Sequence, residues 1–383
     1  MLHKKILLAT RPLVPPWDEA SKNFAYFLAK NIRDENTEMH ILTTPEKLEG
    51  LSTNVISHAL YSAPDKNSKS HYPFFQKARL PLYLFAQSFR YDIVHYLFTP
   101  TLFNAFVIRY FTPFRPKTIQ TIATLREDRY PKKFLHRLFF ADRLITYTDK
   151  TKQKLETLGF NNVTRIYPGI DLDRYQPRPK DPAVLATYGL TSNDFFVIYP
   201  GEYTRLGATD MLTETFIKYF TEHPDSNMKF LFACRIKNEA DRKKREDIRA
   251  VVKQAGLESK ILFDENSATT DMAALYNTAD VVIFPVENLK GKFDVPLIII
   301  EAYACGKPVI LSDLPEFLEF ANPDICVTIS KNQGDKLIGS LAYLSQNEAE
   351  RTRLGENARR FAKDHFDLKN TAKQYSEVYD SLY

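Results

Sequence analysis

A rhythm in the sequence constrains this chain more than any single motif does. Short runs of β-forming residues alternate with stretches that carry apolar residues at helical spacing, and the alternation runs through the sequence twice. In the first half, KKILLAT (4–10), MHILTT (39–44), YDIVHYL (91–97), KTIQTIAT (117–124) and DRLITYT (142–148) read as strands. SKNFAYFLAKNI (21–32) and KTKQKLETLG (150–159) read as helices, the latter stopped by Gly159. A proline-rich polar stretch, DLDRYQPRPKDPAV (171–184), interrupts the pattern and is the natural linker. The rhythm then restarts with strands at 194–201, 228–235, 260–265, 281–286 and 307–313. Helices are expected at 210–220, 271–280 and 296–305, the last opened by Pro296 and closed by Gly306. NEAERTRLGENARRFAKDHF (347–366) reads as a charged helix pair. Such alternation implies parallel strands with helices on both faces. Two successive doubly wound units place a ligand cleft outside the carboxyl ends of their strands.

Length and composition agree. A chain of 383 residues suits two domains of roughly 150–200 residues each. Its apolar fraction of 44% and charged fraction of 26% are those of a soluble globular protein. No apolar run reaches the roughly 18–20 residues that span a bilayer, and Ile6 to Ala9 is too short for a signal peptide. Cys234, Cys305 and Cys326 lie far apart, so neither a disulfide framework nor a zinc site is expected, and a reducing, cytoplasmic setting fits. The net charge of +5 is split: residues 1–180 carry +12 and the remainder −7. The basic half is also aromatic, as in HYPFFQKARLPLYLFAQSFRY and FVIRYFTPFRPK. Basic, aromatic surfaces favour anionic partners, a membrane headgroup layer or nucleic acid. Aromatics in the core with solvated lysines would give the same composition.

Two loops that follow strands carry residues unsuited to mere connectors. RPLVPPWDEASKN (11–23) holds Pro16, the only tryptophan Trp17, Asp18 and Glu19. A tryptophan beside acids suits stacking on a sugar ring, and helix capping is the plainer use of the acids. YPGEYTRLGATD (199–210) offers Gly201 and Gly207 for backbone approach, and Arg205 where a phosphate could meet it and a helix start. Arg235 and Lys237, after the next strand, could add charge to the same pocket. No Walker sequence, GxGxxG, catalytic Ser/His/Asp order or HExxH is present. His95, inside a strand, reads as a satisfied core histidine. Glu301 follows Leu297, Ile298, Ile299 and Ile300, where a carboxylate needs a partner or a ligand.

FPVENLKGKFDVPLIIIEAYACGKPVILSD and ADRLITYTDKTKQKLETLGFNNVTRIYPGIDLDRYQP together resemble family 4 glycosyltransferases of the GT-B fold. The glycine loop at 199–207, LYNTADVVIFP and the opening ILLATRPLVPPWDE stand in the expected places. The resemblance implies an α/β chain of two Rossmann-like doubly wound domains facing across a cleft. An acceptor-binding domain would span 1–174, a linker 175–192, a nucleotide-sugar domain 193–365, and a helix crossing back to the first domain 366–383. It implies a retaining, metal-independent hexosyltransferase that needs no cofactor and uses a nucleotide-diphosphate sugar as co-substrate. Glu301 would bond the donor ribose and Arg205 the donor phosphates. Gly201, Tyr203, Arg235, Lys237, Lys292, Phe293, Asp294 and Val295 would complete the donor site. Pro16, Trp17, Asp18 and Glu19 would receive the acceptor, Asp18 or Glu19 orienting its hydroxyl.

Four departures stand out. Phe293 occupies the place of a glutamate common in the family, leaving Lys292 or Asp294 to replace it. Glu202 stands where an arginine is usual. Asp18 and Glu19 replace a glycine pair, and Thr124-Leu125-Arg126 replaces a histidine. They keep open a second reading, a catalytically silent GT-B binding or scaffold subunit. The basic first half suggests a lipid-linked or surface-polysaccharide acceptor met at an anionic membrane, with no role for nucleic acid.

Overall fold

A computed structural model describes the chain except residues 1–2, 11–12, 14–19, 33, 35, 47, 63–73, 98–100, 112–115, 126, 128–129, 266–268 and 290–293. Residues 20, 21, 74–77 and 111 are described in backbone only. The chain forms two compact units, Met1–Gly169 with Leu368–Tyr383, and Ile170–Asp367.

The first unit runs β1 (Lys4–Ala9), α1 (Ala20–Asn31), β2 (Thr37–Thr43), β3 (Val55–Ala59), α2 (Phe74–Gln87), β4 (Ile93–Tyr96), α3 (Leu102–Phe111), β5 (Lys117–Ile122), α4 (Lys132–Leu138), β6 (Arg143–Thr146), α5 (Asp149–Thr157) and β7 (Val163–Arg165). The second runs α6 (Pro182–Thr187), β8 (Phe195–Tyr199), α7 (Thr209–Glu222), β9 (Met228–Phe232), α8 (Glu239–Gln254), β10 (Ile261–Phe263), α9 (Met272–Thr278), β11 (Val281–Phe284), α10 (Leu297–Ala304), β12 (Val309–Ser312), β13 (Cys326–Ile329), α11 (Gly334–Gln346) and α12 (Glu348–Phe366). The last helix, α13 (Leu368–Leu382), belongs to the first unit.

The first unit's sheet has the order β3-β2-β1-β4-β5-β6-β7, with every pairing parallel. Strand β4 is buried at all four positions, which is why it reads as a run rather than an alternation. His95 lies within it, fully buried. Its Nδ1 meets the Tyr379 hydroxyl and its Nε2 the Thr121 hydroxyl, each at 2.7 Å. Burial pushes its imidazole down to about 3, so it is a neutral, satisfied core group, as expected. Tyr375 and Tyr379 lie on the buried stripe of α13, with Leu368, Thr371 and Ala372. A Cβ on Gly169 would lie 2.4 Å from the Leu368 Cα, so only glycine admits the start of α13 there.

The second sheet has the order β10-β9-β8-β11-β12-β13, again all parallel. The Phe216 ring of α7 stacks on Phe230 of β9 at 3.8 Å, fixing helix to sheet. In the segment expected as a linker, Asp181 caps α6. The Arg178 amide donates to the Asn277 side chain at 2.8 Å, and Lys180 pairs with Asp280 at 2.8 Å. Residues 347–366, expected as a helix pair, form the single helix α12. Gly355 does not break it. A Cβ there would sit 2.1 Å from the Gly306 carbonyl oxygen, so this glycine serves the close packing of α12 on the end of α10.

Candidate functional site

The second sheet reverses its winding between β8 and β11, so the loops leaving those two strands open side by side at its carboxyl edge. This is where doubly wound sheets hold ligands. The loop after β8 turns on two glycines. A Cβ on Gly201 would lie 2.0 Å from Tyr199 Cζ, because the Tyr199 ring folds beneath it. Gly207 has φ +80°, and a Cβ there would lie 2.5 Å from a Glu287 carboxylate oxygen. The Glu287 amide donates to the Leu206 carbonyl at 2.9 Å, tying the loop after β11 to the loop after β8.

Glu202 is the centre of this loop's electrostatics. Its side chain is only 6% exposed, yet it carries two cations. Arg205 grips it with Nε at 2.8 Å and Nη2 at 3.2 Å, and Lys237 Nζ reaches it at 2.7 Å. Its backbone bridges to Arg235, extending the β8–β9 pairing into the loops. Buried Asp241 adds a second tie, accepting from the Thr204 hydroxyl at 2.7 Å and the Lys237 amide at 3.1 Å. Of the three cations read from the sequence, two therefore already hold a carboxylate. Arg235 is exposed, and no side-chain ion pair is found for it among the described residues.

Glu301 projects from α10 and is half-buried. Burial raises its carboxyl to about 7, against the pull of hydrogen bonds from Tyr175 and Tyr276 and the charges of Arg235 and Arg174. The Tyr276 hydroxyl donates to it at 3.2 Å. Tyr175 is itself held in place, since Arg359 donates to its carbonyl and to that of Ala304 at 2.7 Å each. Arg174 leans on Asp271 at 3.5 Å. A carboxylate poised near neutrality, with cations beside it but no ion-pair partner among the described residues, suits reversible bonding to hydroxyls of a ligand.

The structure thus brings Gly201, Arg205, Arg235, Lys237 and Glu301 to one edge of one sheet. Tyr203 lies in the same loop, but its ring is buried near Phe232 and its carbonyl accepts from the Thr209 hydroxyl at 2.8 Å. Val295 is fully buried and Asp294 half-buried at the start of α10. Lys292 and Phe293 fall outside the described residues, as do Pro16, Trp17, Asp18 and Glu19. Arg174, Tyr175 and Tyr276, which surround Glu301, lie within YPGIDLDRYQP and LYNTADVVIFP, but their residue types alone do not mark them as site residues. Their signal was the position of Tyr175 in the most distinctive part of the linker. Among the described residues, no group of three or more His, Cys, Asp or Glu is placed to hold a metal ion.

Two Rossmann-like units in one chain, the second with a poised carboxylate and cations at its switch point, define the GT-B class. The family model described as Glycosyl transferases group 1 matches residues 190–361, and that of Glycosyltransferase Family 4 matches residues 22–174. The chain belongs to this family of enzymes, the group 1, family 4 glycosyltransferases of the GT-B fold.

Among curated proteins it is similar to D-inositol 3-phosphate glycosyltransferase of Rhodococcus erythropolis, 26% identical over 244 residues, 62% of this chain and 53% of that protein. It is also similar to the Mycolicibacterium smegmatis protein of that name, 28% identical over 173 residues, 44% of this chain and 37% of that one. The matches span about half the length of these relatives or less. Among solved structures, Anabaena Alr3699/HepE in complex with UDP and glucose superposes with a TM-score of 0.71 at 15% identity, covering 99% of this chain and 100% of that one. Sucrose-phosphate synthase of Thermosynechococcus elongatus gives 0.75 at 16%, covering 99% of each. At such identities the likeness speaks for the fold.

Proposed function

We propose that this chain transfers a hexosyl group, with retention and without a metal, from a nucleotide-diphosphate sugar to a hydroxyl of a glycan or lipid-linked acceptor. The observation that carries this reading is Glu301, poised near neutrality beside Arg235 at the sheet edge that also holds Arg205 and Lys237. Glu301 takes the ribose hydroxyls, and the three cations take the diphosphate, in place of a metal ion. The bond from the anomeric carbon to the phosphate oxygen breaks with its electron pair passing to the diphosphate, through an oxocarbenium-like transition state. The acceptor oxygen bonds that carbon on the face being vacated, and its proton passes to the departing phosphate oxygen. Asp18 or Glu19 orients the acceptor, with Pro16 and Trp17 beside it. The UDP and UDP-glucose complexes of Alr3699/HepE make uridine donors the first to try.

The acceptor belongs to cell-envelope polysaccharide or glycolipid synthesis, and the enzyme works from the cytoplasm at the inner face of the plasma membrane. Among the described residues, no helix is long and apolar enough to cross a membrane. A panel of nucleotide sugars tests the proposal by thermal shift and slow donor hydrolysis. Glu301→Ala should raise the donor KM at least tenfold, and unchanged donor affinity would refute its role. The Glu202 clamp on Arg205 and Lys237 favours one second reading, a catalytically silent subunit. No shift and no hydrolysis with any nucleotide sugar would select it.

A further inference from the structure

Helix α2 and the turn that follows it are apolar on the wrong side. Leu84 and Ser88 face the core, as the inward stripe of a surface helix should. Yet Leu82, Phe85 and Phe89 recur at helical spacing on the outward face. Phe103, Phe106 and Tyr110 do the same on the neighbouring α3. All six are more than half exposed, and they are six of the eleven exposed large hydrophobics among the described residues. Isolated exposed apolar residues are ordinary, but a patch spread over two adjacent helices marks an interaction surface.

The charge around it selects the partner. Between Lys66 and Arg126 the sequence has nine Lys and Arg and a single acid, Asp92. The Asp92 carboxylate is taken by the Lys5 amide at 2.8 Å. Arg90 and Arg109 flank the aromatic stripes, each lying along a ring, 5.8 Å from Phe89 and 5.6 Å from Tyr110. Exposed Lys132, Lys133 and Arg137 continue the basic surface on α4, the next helix over. Rings that can enter the acyl boundary, with arginines reaching back to the headgroups, are the make-up of an interfacial membrane surface. A second copy of the chain fits poorly, because a two-fold contact on this face would set a basic surface against itself.

We infer that the outward face of α2 and α3 is the surface by which the first unit inserts into an anionic bilayer. This deepens the reading of the acceptor as membrane-presented and rests on it for its purpose. The surface itself is tested by binding alone, so its failure leaves the donor chemistry standing.

The test is co-sedimentation of the full chain with vesicles of phosphatidylcholine plus phosphatidylglycerol, and of phosphatidylcholine alone. The wild type should bind the first, bind the second weakly, and release as salt is raised. Phe85→Ala with Phe106→Ala should lower the partition coefficient about thirtyfold, roughly five- to sixfold for each half-exposed ring. Arg90→Ala with Arg109→Ala should lower it up to about thirtyfold on the anionic vesicles only, at about fivefold per cation. Lys243→Ser, on α8 of the other unit, should change nothing. All variants should keep the wild-type circular dichroism and donor hydrolysis. Wild-type binding that the ring pair leaves intact overturns the inference. So does a wild type that binds no vesicle but self-associates in sedimentation equilibrium until the rings are removed.

Discussion

Replacing Glu301 by glutamine should stabilise the protein at the expense of its function, and only above a certain pH. In the folded chain the carboxyl is raised from 4.5 to about 7 by burial. Between those values the folded state holds a proton that the unfolded chain has released. This contribution to stability is therefore complete below pH 4.5 and is lost as the pH rises through 7. At about 1.36 kcal/mol per pKa unit the loss is at most about 3 kcal/mol. Glutamine fills the same space, can still accept from Tyr276, and never ionises. Glu301→Gln should therefore match the wild type near pH 4.5 and exceed it by up to about 3 kcal/mol at pH 8, some 6–12 °C in the melting of a unit this size. Urea or thermal denaturation of both proteins, followed by circular dichroism from pH 5 to 8, reads the difference directly. The same variant should lose the thermal shift given by the donor nucleotide. In the wild type, donor affinity should climb about tenfold per pH unit below 7 and level off above it. A variant less stable than the wild type at pH 8, or a stability gap that does not change with pH, would refute the reasoning.

Glu202→Gln releases Arg205 and Lys237 from a buried anion. Calorimetry with inorganic pyrophosphate should show binding tightened severalfold, at about 1–2 kcal/mol of stability; weaker binding would mean that the clamp positions the cations rather than competing with phosphate. Gly201→Ala drives a methyl into the Tyr199 ring and should cost at least about 2 kcal/mol, with an unmoved urea midpoint contradicting the packing. His95, held neutral with its imidazole lowered from 6.5 to about 3, contributes stability that is present above pH 6.5 and is lost as the pH falls towards 3. His95→Phe should flatten that part of a melting-temperature profile measured from pH 4 to 7.

What was legible in the sequence follows from burial. Central strands such as IVHY, FFVIY and VVIF are covered on both faces and stand out as apolar runs. The outer strands β3, β7 and β13 are three to five residues long and partly exposed, so no run announces them. Helix α2 escaped for a different reason. It contains Pro81 and is apolar on both sides, which erases the amphipathic period. Helix α8 hides behind charge, burying only Asp241, Ile248 and Val252 of its sixteen residues. Within the site, Glu301 was legible because a charge inside an isoleucine run contradicts its surroundings. The Glu202 clamp was not, because one arm is a short-range pair within the loop and the other comes from a different strand. Tyr175 was hidden in a stretch whose prolines read as a linker, while Arg359, which fixes it, comes from α12.

The two glutamates of this site show how one fold treats like groups in opposite ways. Glu202 is more deeply buried, but two cations and a fixed loop compensate for it, so its charge is spent within the protein. Glu301 is compensated only in part. Two tyrosines hydrogen-bond it, and Arg235 and Arg174 act on it through space, yet burial still holds its carboxyl near neutrality. An under-compensated carboxylate costs stability in the free protein and gains most from hydroxyl donors that arrive from outside. Arg235, exposed and with no side-chain ion pair among the described residues, would on that reading be the cation that an incoming phosphate meets first. On the proposed donor role, the ribose and diphosphate would engage Glu301 and Arg235 together, and Arg205 and Lys237, held by Glu202, would turn towards the phosphates only on its release.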